Sequence, residues 1–276
     1  MPGRYYRYAL DDVCVVQIHD GWDHHAPAHD YFGTNVDDLT FDEECISLGT
    51  SPAEFDFPVT MTLIESDATR VLVDAGFGPS GPSHSGGLPK GLVALGIDPG
   101  SVDVVVMSHL HGDHTGGLLT DEGTPRFPKA RHLIAADEVE AAPSDPVLAA
   151  LGDIVEQVSP GYEVLPGIAL VDMRGHTPGQ MGVLITTRSG SVLVASDLAN
   201  HPIWAFAHPE WHMRFDADGE KAAAMRAYWL GRAADERLIF AGYHMPFPAL
   251  GRVERDGAAF RYVPIDLDVE GSASAA

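Results

Sequence analysis

Short apolar runs recur along the chain, and they predict most of its strands. The run at 102–107 consists mostly of valine, as expected of a strand that is buried on both faces. Other runs are shorter and are bounded by Gly, Pro, Asp or Ser, which is typical of strands that end in turns. The remaining predicted strands cover 13–18, 59–65, 70–74, 131–135, 169–173, 181–187, 191–195, 238–241 and 259–264.

A helical period appears in three places. Over 218–234, Ala222, Met225 and Trp229 recur at roughly helical spacing, and Asp218 can cap the first turn. Shorter helices are predicted at 88–95, before Gly96, and at 136–142, where Pro143 ends the pattern. By contrast, 23–57 shows little periodicity, and it is predicted to be a long loop of the kind that forms a lid or a binding loop.

Strands and helices alternate in both halves of the chain, the first up to about residue 142 and the second from about residue 169. This order predicts an α/β protein whose sheets are covered by helices. We find no linker, repeat or low-complexity segment, so we expect a single domain over 1–276. The tail at 271–276 is predicted to be disordered.

The charge balance narrows the classes of partner. The chain has 17 Lys and Arg residues against 40 Asp and Glu residues, which gives a net charge of −23. A surface of this sign repels phosphate backbones and anionic lipids, so we expect neither a nucleic-acid partner nor a membrane partner. A small neutral or apolar substrate fits better, and the charge then serves mainly solubility.

The number of cysteines and the length of the apolar runs bear on the cellular location of the protein. Two cysteines, Cys14 and Cys45, do not form a disulfide framework. The first residues have no apolar stretch after their charges, unlike a signal peptide, and no run reaches the 18 or so apolar residues of a membrane helix. We therefore expect a cytoplasmic protein, and the sequence leaves a homodimer open.

Candidate chemistry is concentrated directly after the 102–107 strand. Residues 109–114 follow the pattern H-x-H-x-D-H, with His109, His111, Asp113 and His114. Imidazole suits zinc, iron and related metals, and carboxylate oxygen can share them. The alternative is an accidental surface cluster, which distant ligands would exclude.

Three later strands also end in residues of metal-binding type. His176 lies in a tight Gly/Pro turn, Asp197 directly follows a strand, and His244 follows another. Open α/β sheets place their ligands at such strand ends. Taken singly, each has an ordinary explanation as a turn or surface residue, but together with the central motif they supply seven candidates, enough for two metals that share a carboxylate.

The combination H-x-H-x-D-H, then G-H-T-P-G, then a strand-end Asp and a strand-end His resembles the metallo-β-lactamase superfamily. Asp74-Ala75-Gly76 is similar to the early Asp-x-Gly turn of that family. The resemblance implies an αββα sandwich, in which two mixed β-sheets are flanked by helices and the site lies at one edge between them.

The resemblance also assigns the seven ligands, three to each metal and one shared. It gives His109, His111 and His176 to the first metal, Asp113, His114 and His244 to the second, and Asp197 to both. The implied nucleophile is a hydroxide between the metals, because a bound metal lowers the pKa of water from about 16 to about 7.

Further roles follow from that assignment. Asp113 and Asp197 would be the catalytic carboxylates, which offset the cations and receive a proton as the leaving group departs. The ligand types favour two divalent ions, zinc first, with manganese, iron or cobalt also accepted. Asp74 is placed to accept a hydrogen bond from a ligand histidine, although a simple turn role is as consistent with the sequence.

Within the superfamily, the chain is most similar to the branch of methyl parathion hydrolases and quorum-quenching N-acyl-homoserine lactonases. This likeness rests on 196–199, 215–218, 241–248 and 260–264. It departs from some lactonases in having no Tyr shortly after Asp197. We expect hydrolysis of a lactone or carboxyl ester, with an aryl phosphotriester as the alternative. A non-catalytic metal binder or a redox member of the fold is less favoured.

The substrate pocket is predicted from loop residues, since aromatic side chains near a metal suit an apolar substrate. The alternative for each of them is packing against neighbouring loops. The candidates are Trp22, Phe32, His201, Trp204, Phe206 and Phe247.

Overall fold

The computed structural model describes residues 3–266. Within this range the strands form two seven-stranded sheets that pack face to face. Helices cover the outer face of each sheet, so the layers run helix, sheet, sheet, helix. The αββα sandwich predicted from the sequence is confirmed. The predicted tail at 271–276 lies outside the described residues.

The first sheet follows the chain order from one edge to the other. Its first four strands are antiparallel, and β4 to β7 are parallel. The strands are β1 (Tyr5–Leu10), β2 (Val13–His25), β3 (Phe55–Ser66), β4 (Thr69–Val73), β5 (Val104–Val106), β6 (Arg131–Ala135) and β7 (Val155–Val158).

The second sheet also follows the chain order, and one of its neighbouring pairs, β11 with β12, is parallel while the others are antiparallel. Its strands are β8 (Glu163–Leu165), β9 (Ile168–Asp172), β10 (Met181–Thr186), β11 (Ser191–Ser196), β12 (Ile239–Gly242), β13 (Leu250–Asp256) and β14 (Ala259–Pro264).

Successive side chains of each strand point to opposite faces of its sheet, and this alternation decides which layer each side chain packs in. In β5, Val104 and Val106 face the second sheet, whereas Val105 packs beneath the outer helices. Because both faces of this strand are covered, its sequence is apolar at every position. Ile64 and Ile185 lie in the shared core between the two sheets.

The helices of the described range vary greatly in length. The longest, α7, begins after Asp218, whose side chain accepts from the amide of Lys221, and it packs Trp229 and Leu230 against the second sheet. None of them combines the length and the apolar character needed to cross a bilayer. They are α1 (Asp38–Leu48), α2 (Leu88–Leu95), α3 (Gly112–Thr115), α4 (Ala136–Ala141), α5 (Pro146–Leu151), α6 (Trp204–Ala207) and α7 (Gly219–Asp235).

The prediction of a structureless loop over 23–57 is wrong. Strand β2 continues to His25, β3 begins at Phe55, and α1 lies between them. The helix is capped by Asp37 and Gly49 but buries little more than Phe41 and Cys45, so its sequence has almost no apolar stripe. Strands β1, β7, β8 and β13 and helix α5 were also not predicted, since exposed positions dilute their patterns.

Replacing Ile185 by Ala tests the shared core. The side chain is fully buried between the sheets, so its truncation is expected to lower the free energy of unfolding by about 2–5 kcal/mol. Chemical denaturation monitors the change. Ile46→Ala is the matched control, because Ile46 is 75% exposed on α1 and its loss should change stability by less than about 0.5 kcal/mol. Equal effects of the two substitutions would contradict the core assignment.

Candidate metal centre

The histidine motif lies where β5 leaves the first sheet. His109 and His114 are fully buried, and the short helix α3 turns Asp113 and His114 toward the same space as the preceding histidines. The carbonyl of Ser108 accepts from the amide of Met181 at 3.0 Å, which joins this loop to the start of β10 in the second sheet. The motif is therefore fixed between the two sheets.

The other candidate ligands come from the second sheet. Strands β9, β11 and β12 end at one edge of this sheet, because β10 begins there and runs antiparallel between β9 and β11. His176, Asp197 and His244 follow these three ends. All seven predicted residues come together in two adjoining groups, within each of which the ligand atoms lie within 4.8 Å of one another: His109, His111, His176 and Asp197, and Asp113, His114 and His244.

Asp197 lies between the two groups. Its Oδ1 is 3.0 Å from Nε2 of His114 and 3.1 Å from Nε2 of His244. Its Oδ2 is 3.3 Å from Nε2 of His176. His244 Nε2 also lies 3.3 Å from Oδ2. The carboxylate thus reaches imidazoles of both groups, as a carboxylate shared by two metals requires.

The hydrogen bonding of the inner atoms of the site is incomplete. In the described part of the chain, Nε2 of His114 and Oδ1 of Asp197 are buried without a hydrogen bond, although they lie 3.0 Å apart. Nδ1 of His111 lies 3.0 Å from Nε2 of His109 and 3.1 Å from Nε2 of His176, although only one proton can serve such a pair. Buried polar atoms ordinarily have partners, so these atoms are suited to holding cations. Imidazole and carboxylate donors in this number fit two divalent ions.

The outer ring nitrogens of three histidines donate to fixed acceptors. Nδ1 of His114 donates to Asp74 at 2.9 Å, Nδ1 of His176 to Asp216 at 2.9 Å, and Nδ1 of His244 to the Pro58 carbonyl at 2.8 Å. A proton held at Nδ1 leaves the Nε2 lone pair directed into the site, which is the state that binds a metal.

Asp74 organises the loop beneath the motif. Its oxygens accept from the amide of Ser108 at 2.8 Å and from the Ser108 hydroxyl at 2.7 Å, in addition to His114. The Ser108 hydroxyl in turn accepts at 2.6 Å from the hydroxyl of Ser196, the last residue of β11 in the other sheet. Asp74 and Ser196 both have positive φ, so their backbones are held in a strained conformation by these contacts.

Asp216 and Arg226 support the site without having been predicted to do so. Asp216 accepts from His176, and the buried guanidinium of Arg226 lies 3.6 Å from its other oxygen. Arg226 also donates to the carbonyls of Leu198, Pro209 and Trp211, so it holds the segment that follows the Asp197 strand. Asp216 lies 40 residues from its partner, and the family likeness at 215–218 assigns it no role.

Aromatic rings fix the faces of two ligands. Tyr243 stacks on His114 with ring centroids 3.9 Å apart, and its hydroxyl donates to the carbonyl of Asp113 at 2.6 Å. Phe57 stacks on His244 at 3.7 Å. The rings exclude water and restrict rotation, so both imidazoles are positioned before a metal binds.

The charges of the site depend on one another. Burial lowers the pKa of His114, but the carboxylates of Asp197, Asp113 and Asp74 reverse this and raise it well above the usual value. Burial raises the pKa of Asp197, yet His114 and His244 hold it well below the usual value. Against the effect of burial, Asp197 and Asp216 raise the pKa of His176 to about 9. These directions favour protons on His114 and His176, which metal binding displaces.

Residues 55–242 match the metallo-beta-lactamase superfamily. The chain belongs to this superfamily. Among curated proteins, an N-acyl homoserine lactonase from a Bacillus species is 30% identical over 177 residues, which cover 56% of this chain and 70% of the relative. The N-acyl homoserine lactonase AiiA of Bacillus thuringiensis subsp. kurstaki is 29% identical over the same length, with the same coverage.

Solved structures of the superfamily match the fold over almost the whole chain. AidC, a dizinc quorum-quenching lactonase solved with a product, has a TM-score of 0.88 at 20% identity and covers 96% of this chain and 98% of its own. The hydrolase AbOPH has a TM-score of 0.86 at 22% identity and covers 97% of this chain and 99% of its own. At these identities the likeness establishes the metallo-β-lactamase fold.

A cavity of about 280 Å³ opens above the ligand cluster. His111, Asp113 and Asp197 form its floor. Its walls are mainly aromatic, with one acidic and one further imidazole side chain, and are formed by Asp23, His25, Phe57, Phe77 and Phe215. A substrate that reaches the metals of this superfamily member must enter this space.

The six predicted pocket residues do not line that cavity. Phe32 and Trp204 are buried in an aromatic cluster beside α1, and Phe206 packs beneath the second sheet. Trp22, His201 and Phe247 line a separate groove of about 420 Å³, whose wall includes Pro58. Since Pro58 also accepts from His244, β3 separates this groove from the metal centre.

Asp216→Asn tests the support of His176. The substitution removes the charge that orients this ligand and pairs with Arg226, so we expect metal affinity to fall about 10- to 100-fold. Competition with a chromogenic chelator measures the affinity. Asp235→Asn is the control, because Asp235 pairs with Arg255 at the exposed end of α7. Unchanged affinity in the Asp216 variant would contradict the role assigned to this carboxylate.

Removal of metal is expected to destabilise the protein. Ligands from both sheets meet at this site, so bound cations add their binding free energy to that of folding. We expect a chelator to lower the Tm by about 5 °C or more, and added Zn²⁺ to restore it. Differential scanning calorimetry measures both changes, and a Tm that does not respond to chelation would contradict the site.

Proposed function

We propose that this protein is a dinuclear metal-dependent hydrolase that opens the lactone ring of N-acyl homoserine lactones. The observation that carries the proposal is the position of Asp197 between two groups of buried imidazoles, at the floor of a cavity. The curated relatives support the substrate class, because they are N-acyl homoserine lactonases at about 30% identity.

The residues present fit two divalent ions, and we propose zinc. The first would be held by His109, His111 and His176, the second by Asp113, His114 and His244, with Asp197 shared. Bound divalent ions supply a nucleophile from water at neutral pH and polarise the attacked carbonyl. The dizinc neighbour AidC supports the choice of zinc, although the donor set also accepts manganese, iron and cobalt.

Asp113 is the carboxylate placed to move a proton. It lines the cavity, its side chain is 17% exposed, and its Oδ2 is 3.5 Å from Nε2 of His114 and 3.6 Å from Nε2 of His244. Water adds across the ester bond of the lactone, which gives a hydroxyl group and a carboxylic acid, and the acid then releases its proton to solvent to leave a carboxylate. Asp113 receives the proton that water loses and returns it to the ring oxygen as that bond breaks.

Asp197 has a positioning role in the same step. The amide of Asn200 donates to its Oδ2 at 2.8 Å, and this bond fixes the carboxylate at the point between the two groups. Asn200 occupies the region in which some lactonases carry a Tyr. The carbonyl of the substrate is therefore polarised here without a phenol from this loop.

A hydrolysis screen tests the proposal. Metal-loaded protein is expected to convert N-hexanoyl-L-homoserine lactone to a product heavier by one water, as measured by mass spectrometry. An aryl phosphotriester, the alternative substrate, is screened in parallel. Asp113→Asn should reduce lactone turnover by about 100-fold or more, because the proton acceptor, which is also a proposed ligand of the second metal, is lost.

The control for this variant is Asp235→Asn, whose carboxylate is exposed and distant from the site in the fold. The absence of lactone hydrolysis in fully metallated protein would contradict the proposed substrate. Faster turnover of the phosphotriester would favour the alternative instead. A cytoplasmic location, a single domain and a homodimer stay predictions of the sequence.

A further inference from the structure

A pair of polar side chains on the cavity wall is not used by the ligand cluster. Asp23 and His25 lie two residues apart at the end of β2 and both line the cavity. His24, between them, points to the opposite face, where its Nδ1 lies 3.0 Å from Asp56. Alternation along the strand therefore directs one imidazole of the 24–25 pair into the cavity and the other toward solvent.

Aromatic packing fixes the ring of His25. Its centroid lies 4.5 Å from that of Tyr31, 5.4 Å from that of Phe55 and 5.8 Å from that of Phe57. Phe57 stacks in turn on His244, so His25 is held beside the second group of ligands without belonging to it. A ring held in this way is a preorganised contact for a bound molecule.

The hydrogen-bonding capacity of this pair is largely unused. Between residues 3 and 266, neither ring nitrogen of His25 makes a hydrogen bond, and Asp23 Oδ2 lies 3.5 Å from its Nε2. Asp23 Oδ1 accepts from the amide of His24, which leaves Oδ2 available. The wall thus offers one imidazole, which can donate, and one carboxylate oxygen, which can accept.

We propose that His25, oriented by Asp23, binds the amide carbonyl of an N-acyl amino lactone and selects for it. The inference rests on the proposed function. The N–H and the carbonyl of a trans secondary amide point in opposite directions, so one amide does not bond both side chains, which lie 3.5 Å apart. The carbonyl accepts from the imidazole of His25, and the carboxylate of Asp23 orients that ring. An alkyl lactone has no amide carbonyl at that position.

The physical basis of selection is the cost of leaving polar groups unpaired. When a substrate without an amide fills the cavity, His25 loses water and keeps only its contact with Asp23 at 3.5 Å. Sites that are built to bond a polar group reject analogues that lack it far better than apolar sites reject a missing methylene. Phe77 and Phe215 supply the apolar remainder of the wall, which suits an acyl chain.

The test compares two lactones in metal-loaded protein. His25→Phe is expected to raise the KM for N-hexanoyl-L-homoserine lactone about ten-fold, since one hydrogen bond and its partner are lost. For γ-decalactone, which has no amide, KM should change by less than about two-fold, because no hydrogen bond is removed. His25→Gln keeps a donor and an acceptor and should restore most of the preference.

His24→Phe is the matched control, because its imidazole lies on the other face of the same strand, and it should alter neither KM. Calorimetry supplies a second readout: His25→Phe should bind the product N-hexanoyl-L-homoserine about ten-fold more weakly. Equal changes for both lactones, or none for either, would overturn the inference.

Different experimental results would contradict the proposed function and this inference. If the unsubstituted protein opens neither lactone, the proposed function is contradicted. The inference is then decided by calorimetry alone, and it is overturned if His25→Phe binds the product as tightly as the unsubstituted protein.

Discussion

The carboxylate of Asp197, between two groups of buried imidazoles, is the interaction on which the rest of the site depends. Its two oxygens lie 3.0–3.3 Å from imidazoles of both groups, and one of the oxygens has no hydrogen bond within the described residues. Burial of so many ionisable groups is unfavourable unless cations or protons neutralise them. The seven residues are therefore coupled, and a change at any one alters the charge state of the others.

That coupling requires the two sheets to keep a fixed separation, because each supplies part of the ligand set. The apolar core between them sets the distance, and the hydrogen bond from Ser196 to Ser108 fixes the register at the ligand edge. Strand β3 pairs with β4 only from Thr62 onward, and its earlier part receives the segment after β12: the amide of Thr60 donates to the Tyr243 carbonyl, and His244 donates to the Pro58 carbonyl. The contacts that join the two sheets at this edge thus also hold the ligands of the site.

The sequence predicted which candidate ligands come together, but it did not predict the residues that support them or line the cavity. The reason is physical. His109, Asp197 and their partners stand at strand ends, where apolar runs stop, so local pattern marks them. The acceptor for His176 comes from Asp216, and the cavity wall from Asp23 and His25, and only tertiary packing joins these residues to the ligands. The pocket aromatics are predicted because they lie in apparent loops, but Phe32 and Trp204 pack in a core beside α1, a helix that has almost no apolar stripe.

The most direct test of the shared carboxylate is a crystal structure of metal-loaded protein with anomalous scattering measured at the absorption edge of the metal. The account predicts two peaks about 3.5–4 Å apart, with one oxygen of Asp197 directed at each. A single peak, or two peaks of which only one is contacted by Asp197, would contradict it.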